Sequence, residues 1–203
     1  MTSLLAMGIE AEIRAATANE LRCYLDGASR DGTFSSAHRT LRISQKGTAW
    51  LTCLSAALTR LGSRSWAYKE TRRDVWTLET TWWDPIPPVT AKQKAAFVRG
   101  YFDAEGGVPR SPEARFYVQL VQKDYRDLSI VRDHLETIGI RCGRLHNPSV
   151  AVDPDYWRFF VSSASQLSFC LQVSSWHPRK RFLLDVHISR AQARKEAFSY
   201  ESF

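Results

Sequence analysis

Two stretches of this 203-residue chain end a helical pattern on a carboxylate followed by glycine, with small residues where a second helix could approach. The clearer stretch is Gly100-Tyr101-Phe102-Asp103-Ala104-Glu105-Gly106-Gly107, preceded by Ala95-Ala96-Phe97-Val98-Arg99. Thr90 supplies an N-cap and the paired glycines supply a stop, so a helix is expected over 91–105. The echo upstream is Tyr24-Leu25-Asp26-Gly27-Ala28-Ser29-Arg30-Asp31-Gly32. Gly100 and Ala104 share a helical face, and small residues at that spacing let two backbones come close. Side by side, two such helices would bring Asp31 and Glu105 together at their ends. A helix C-terminus carries negative partial charge, which disfavours a carboxylate there unless a cation is bound. Two such acids held close point to a divalent-metal site.

The repeat continues past the motif. Leu41-Arg42-Ile43-Ser44-Gln45-Lys46 is matched by Val118-Gln119-Leu120-Val121-Gln122-Lys123, and a helical stretch follows each. Gln45 and Gly62 lie 17 positions apart, as do Gln122 and Gly139. Each copy then offers a hairpin whose second strand carries tryptophan, in Asp74-Val75-Trp76 and Asp155-Tyr156-Trp157. This order divides the chain into an N-terminal extension over 1–16, a first repeat over 17–83, a proline-rich connector over 84–89 and a second repeat over 90–203. The second copy adds a helix near Ala164 to Val173, the segment Trp176-His177-Pro178-Arg179-Lys180-Arg181 and a last helix, which leaves the first copy truncated.

The run from Arg99 to Gly106, with the repeat around it, resembles the LAGLIDADG family of homing endonucleases of the single-chain, two-repeat type. The resemblance spans roughly 17 to 190, with Glu105 standing where the motif usually ends in aspartate. It implies an α+β fold of two pseudo-symmetric αββαββα-type repeats, forming a saddle-shaped antiparallel sheet under packed helices. In the upstream copy, a gapless match on Asp31-Gly32 puts Asp26 and Arg30 where the family has small interface residues. A one-residue deletion pairs Gly27 with Gly100 instead, so the register stays open and Asp26 stays a rival to Asp31.

A formal net charge of +7 suits a polyanionic partner, and 44% hydrophobic residues suffice for a packed core. Cys23, Cys53, Cys142 and Cys170 form no CxxC pair and read as reduced core residues rather than zinc ligands. No run of 18 apolar residues occurs, so a soluble, intracellular protein without a membrane partner is expected.

Period-two alternation indicates which strand residues face a ligand. Leu41 and Ile43 turn toward the helices in the first repeat, leaving His38, Thr40, Arg42 and Ser44 outward. In the second, Phe116, Val118 and Leu120 turn inward, leaving Arg115, Tyr117, Gln119 and Val121 outward. The later hairpins add Lys69, Arg72, Arg73 and Thr77 in the first copy, and Arg144, His146, Tyr156 and Arg158 in the second. Donors and acceptors at two-residue spacing can follow base edges in the major groove of double-stranded DNA.

The resemblance implies a monomeric, site-specific endonuclease that makes a staggered break at a long asymmetric DNA site and needs no obligate protein partner. It implies Asp31 and Glu105 as ligands of Mg2+, with Ca2+ binding without supporting cleavage. Gln45 and Gln122 would orient water, and Lys180 would stabilise the phosphate. The first copy has no clear counterpart of Lys180, so half-sites of unequal strength are expected. The alternatives are a catalytically inactive DNA-binding regulator, an RNA-binding intron maturase of the same fold, or a nickase.

Overall fold

The computed structural model of the protein describes residues 2–82 and 84–200, so Trp83, the expected end of the first repeat, lies outside the described residues. The chain forms two compact units. One runs to Glu105 and takes in Trp176–Pro178; the other runs from Gly106 to Ser175 and resumes at Arg179.

The first unit contains α1 (Thr2–Ala15), α2 (Ala18–Ala28), β1 (Thr33–Ser35), β2 (Thr40–Gln45), α3 (Ala49–Arg60), β3 (Ser65–Lys69), β4 (Trp76–Thr80) and α4 (Ala91–Glu105). Its four antiparallel strands stand in the order β1-β2-β4-β3. Within the N-terminal extension, Thr2–Ala15 form α1, which packs on α3 and buries Ile9 and Ile13. Thr17 starts α2 with a capping box, accepting from the Glu20 N–H while the Glu20 side chain accepts from the Thr17 N–H.

Contact between α2 and α4 dominates this unit, and glycine makes it possible. A Cβ on Gly27 would lie 2.0 Å from the Phe97 carbonyl oxygen, and one on Gly100 would lie 1.9 Å from that of Tyr24. The same two sites come within 2.8 Å of the Tyr101 and Ala28 backbone nitrogens. Gly27/Gly100, Tyr24/Phe97 and Ala28/Tyr101 are each 73 positions apart, so the helices cross about a local two-fold. This resolves the register in favour of the Gly27–Gly100 pairing.

The missing residue is absorbed by a tighter turn, because α2 ends at Ala28 and Ser29–Asp31 form a 3-10 turn. One α-helical step and three 3-10 steps carry Asp31 about 7.5 Å beyond Gly27, the rise that five α-helical steps give Glu105 beyond Gly100. Both acids therefore follow the crossing by the same ideal rise.

The second unit contains β5 (Gly106–Gly107), β6 (Gln119–Gln122), α5 (Tyr125–Thr137), β7 (Trp157–Phe160), α6 (Gln166–Gln172) and α7 (Pro178–Tyr200), with strand order β5-β6-β7. Isolated bridges Cys142–Val161 and His146–Arg158 stand where a further hairpin strand was expected. Val118, Leu120, Leu128, Val131, Phe159 and Phe169 form its core.

The repeated 17-position spacing from Gln to Gly has a physical basis in both units. Gly62 and Gly139 adopt left-handed backbone (φ 72° and 82°) just after α3 and α5. The following Ser63 and Ile140 N–H groups reach back to the Leu58 and Leu135 carbonyls, giving the same Schellman ending twice. Gln45 stands opposite Trp76 on β4, and Gln122 opposite Trp157 on β7, so each repeated glutamine meets the repeated tryptophan.

All four cysteines are free thiols, and no described helix is long and apolar enough to cross a membrane. Gly100→Ala is expected to destabilise the protein by about 3 kcal/mol or more, since the methyl meets backbone rather than a movable side chain. Urea denaturation with an unchanged slope and a lowered midpoint would verify this.

Candidate functional site

Asp31 is exposed at the end of its 3-10 turn, and the Gln45 Nε2 donates to its Oδ2 at 3.3 Å. It borders a groove of about 610 Å³ shared with Thr33, Arg42, Ser44, Tyr68, Glu70, Arg73 and Thr77. The helix-ending acid and the outward face of the first sheet thus open onto one space. Asp26 has a different environment: it is 7% exposed and bonded to the Arg30 guanidinium at 3.2 Å. Arg30 also lies over the Phe97 ring, 5.6 Å from its centroid. Asp26 and Arg30 thereby serve the helix crossing, while Asp31 faces the groove.

Glu105 closes α4 and is half-buried. The preceding acid, Asp103, is buried and works inward. Its Oδ2 accepts from the Tyr24 hydroxyl and the Trp176 backbone N–H, both at 2.9 Å, and the Trp50 Nε1 donates to that hydroxyl at 2.9 Å. Burial and the Asp103 charge push the Tyr24 phenol well above its usual range, so it remains a donor. The sequence marked Asp103 only as a motif position. Its partners Tyr24, Trp50 and Trp176 are far apart in the chain and carried no common signal.

The outward face of the first sheet is tied to two glutamates, Glu70 and Glu79, that no motif in the sequence marks. Glu79 stands opposite Arg42 on the neighbouring strand and is 5% exposed. It accepts from the Thr40 hydroxyl, from Arg42 at 3.0 Å and from the Tyr68 hydroxyl at 3.2 Å. Glu70 accepts both donors of Arg73 at 2.8 Å, the Thr77 hydroxyl at 2.7 Å and the Ser44 hydroxyl at 3.5 Å. Desolvation raises the Glu79 carboxyl, but its bonds to Thr40 and Arg42 prevail and lower it overall. The Arg73 fork and the Thr77 hydroxyl pull Glu70 down to about 2.

Several expected outward residues are therefore differently placed. Thr40 is turned outward in register but is only 4% exposed, because Glu79 covers it. His38 sits in the exposed turn between β1 and β2 rather than on a strand. Lys69 pairs with Trp76, on the sheet side opposite Thr77, and bridges to Asp74 at 3.0 Å. Arg72 is exposed in the β3–β4 loop.

In the second unit, Arg115 and Tyr117 precede β6 instead of standing in it, yet the alternation persists: Val118 and Leu120 are buried. Gln119 reaches the Tyr156 hydroxyl at 3.4 Å, and the Arg158 Nε reaches the His146 Nε2 at 3.3 Å. Tyr117 meets Phe160 edge-on at 6.0 Å, and the Arg158 guanidinium lies 5.4 Å from the same ring centroid. Arg144 is exposed on the segment between the two bridges. This face is cationic and aromatic, and among the described residues no glutamate pairs with Arg115, Arg144 or Arg158. Gln122 ends β6 and accepts from the Lys123 N–H at 2.7 Å, and Lys180 lies buried in the first turn of α7, 8% exposed.

Among the described residues no group of three or more His, Cys, Asp or Glu side chains could hold a metal. Asp31 and Glu105 offer only carboxylate oxygens. A two-carboxylate donor set fits a hard cation that keeps several waters, as Mg2+ does, and does not fit zinc.

Residues 92–172 match the sequence profile of the LAGLIDADG-like domain. The structure of full-length DUF199/WhiA from Thermatoga maritima is similar over 96% of this chain and 72% of its own, at 14% identity and a TM-score of 0.66. The N-terminal LAGLIDADG domain of DUF199/WhiA is similar over 83% of this chain and 89% of its own, at 15% identity and 0.65. I-DmoI in complex with DNA and Mn is similar over 78% of this chain and 98% of its own, at 14% identity and 0.57. None of the curated proteins matches the sequence. Residues 92–172 thus match a LAGLIDADG-like domain, and the chain has the mixed α+β fold of antiparallel sheets and helices that these structures share.

Glu70 is expected to stay ionised until pH falls to about 2. Its pKa is lower folded than unfolded, so any stability it adds is complete above the unfolded value and is lost as pH falls through the folded one. A carboxyl-carbon NMR titration reads this directly, and a midpoint near the ordinary 4.5 would show the Arg73 fork open in solution.

Proposed function

We propose that the chain binds double-stranded DNA and hydrolyses its phosphodiesters as a monomeric, site-specific, metal-dependent endonuclease, giving a staggered double-strand break at a long asymmetric site. The observation that carries this reading is the close Gly27–Gly100 crossing of two helices that each run on to a terminal acid, Asp31 and Glu105, with Gln45 bonded to Asp31. A protein that only packed its helices together would gain nothing from an acid at both ends, where the helix dipole disfavours it.

Asp31 and Glu105 would hold the cation. When bound, such a cation lowers the pKa of water, neutralises phosphate oxygens and stabilises the leaving 3′ oxygen. The Gln45 amide, already directed at the Asp31 carboxylate, would orient water there, and Gln122 would do so for Glu105. Lys180 would stabilise phosphate charge for one half-site only, which makes the two strands react at different rates. Support for a DNA substrate comes from net charge +7, the cationic second sheet face and the likeness to I-DmoI, a homing endonuclease seen with DNA and with Mn or Ca.

A second reading, a DNA-binding protein that does not cut, is favoured by one specific observation. The first copy carries the more degenerate motif and has no counterpart of Lys180, so one half-site lacks the basic residue that cleavage would use.

The test is to incubate the protein with a randomised duplex library in Mg2+ and sequence new ends against an EDTA control. Metal-dependent ends sharing one long motif are expected. Uncut DNA, with a motif recovered only by binding selection in Ca2+, selects the second reading. On the recovered site, Glu105→Gln is expected to keep binding and to slow cutting of at least one strand by more than the roughly 100-fold typical of an outer-shell change. Lost binding by a folded variant would contradict its role as a metal ligand.

A further inference from the structure

In the second unit, two adjoining hollows of about 470 and 360 Å³ share Arg115, Phe116, Ser163 and Gln166 as a common wall. The first opens between Tyr117 and Phe160 on the outward sheet face; the second is bordered by His187, Arg190 and Arg194 of α7. Together they form a channel leading from the sheet face to the exposed side of α7. The site assigned above uses none of His187, Arg190 and Arg194.

The channel's charge is one-sided. Arg115, Arg190 and Arg194 border it against a single carboxylate, Glu113. Arg190 and Arg194 sit one turn apart on one helix face, an arrangement of like charges that costs stability unless an anion offsets it. Arg190 donates to the Pro112 carbonyl, which holds its guanidinium at the channel wall. Arg115 and Arg194 make no ion pair among the described residues. The His187 ring lies flat on Phe116, centroids 3.8 Å apart and planes at 11°, and so forms a floor between the sheet and the arginines. Burial, followed by the charges of Arg194 and Arg190, holds its imidazole below the usual histidine range, as expected in a positively charged pocket.

We infer that this channel takes the phosphodiester backbone of the bound DNA where it leaves the sheet, with Arg190 and Arg194 on phosphates outside the base pairs that the sheet faces. This rests on the DNA-binding reading above and extends it. Guanidinium forks match phosphate oxygens in pairs, and continuity with the Arg115–Tyr117–Phe160 face gives a duplex end a path to follow. The contact would be indifferent to sequence and sensitive to salt.

The experiment measures the salt dependence of binding by the whole protein, in Ca2+, on two duplexes. One ends flush with the selected site; the other carries about ten further base pairs, one helical turn, at each end. The wild type is expected to bind the longer duplex with a log–log salt slope steeper by about 2, one unit for each arginine phosphate contact. The double variant Arg190→Gln/Arg194→Gln should lose that difference, with roughly tenfold weaker binding to the long duplex and unchanged binding to the short one. Circular dichroism checks its fold, and Arg194→Gln alone should lose about half the slope difference. Equal slopes for wild type and variant on the long duplex overturn the inference, as does equal weakening on both duplexes. Failure of the wild type to bind either duplex instead removes the DNA-binding reading itself, and the inference with it.

Discussion

The close crossing of α2 and α4 at Gly27 and Gly100 is the constraint on which the first unit depends. Backbones that approach until a β-carbon would strike a carbonyl oxygen leave no room for other residues, so both glycines are fixed by contact and not by backbone flexibility. The crossing also fixes height. Everything C-terminal to it, including Asp31 and Glu105, emerges at a defined distance, and the 3-10 turn at Ser29–Asp31 restores that distance where the chain is one residue short. Asp103, held by the Tyr24 hydroxyl and the Trp176 backbone N–H, with Trp50 donating in turn to Tyr24, locks the packed helices through a buried network.

The two sheet faces show how similar strands come to different electrostatic ends. On the first, Glu79 opposite Arg42 and Glu70 beside Arg73 turn potential DNA donors into an internal network. Such donors are rigid and largely neutralised, and a phosphate or base must compete with a carboxylate for each of them. On the second, arginines rest against an aromatic ring or a histidine, which position them without cancelling their charge. Asymmetry between the halves thus lies in acids placed on strands as much as in the extra C-terminal elements of the second copy.

Much of this was legible in the residues. The acid-glycine endings, the Gln-to-Gly spacing and the strand tryptophans each require a local geometry, and the structure supplies the reasons: Schellman endings at Gly62 and Gly139, and Gln–Trp cross-strand pairs in both sheets. Less legible were features that depend on a neighbour distant in the chain. Strand position alone points Thr40 and Lys69 outward, but Glu79 covers the first, and strand register turns the second to the other side of the sheet. Residues 1–16 carry no motif, so the burial of Ile9 and Ile13 is not legible from the sequence.

The sequence by itself determined the repeat, the helix endings, the inward positions of the strands and the pair of terminal acids, because periodicity, glycine conformation and capping act within a few residues. Only the tertiary structure decided the register of the first motif helix, the separation of Asp26 from Asp31 and the pairing of Glu70 and Glu79 with the outward donors. Each of these depends on which side chains meet across strands or helices, and pair contact at that range is set by packing rather than by local pattern.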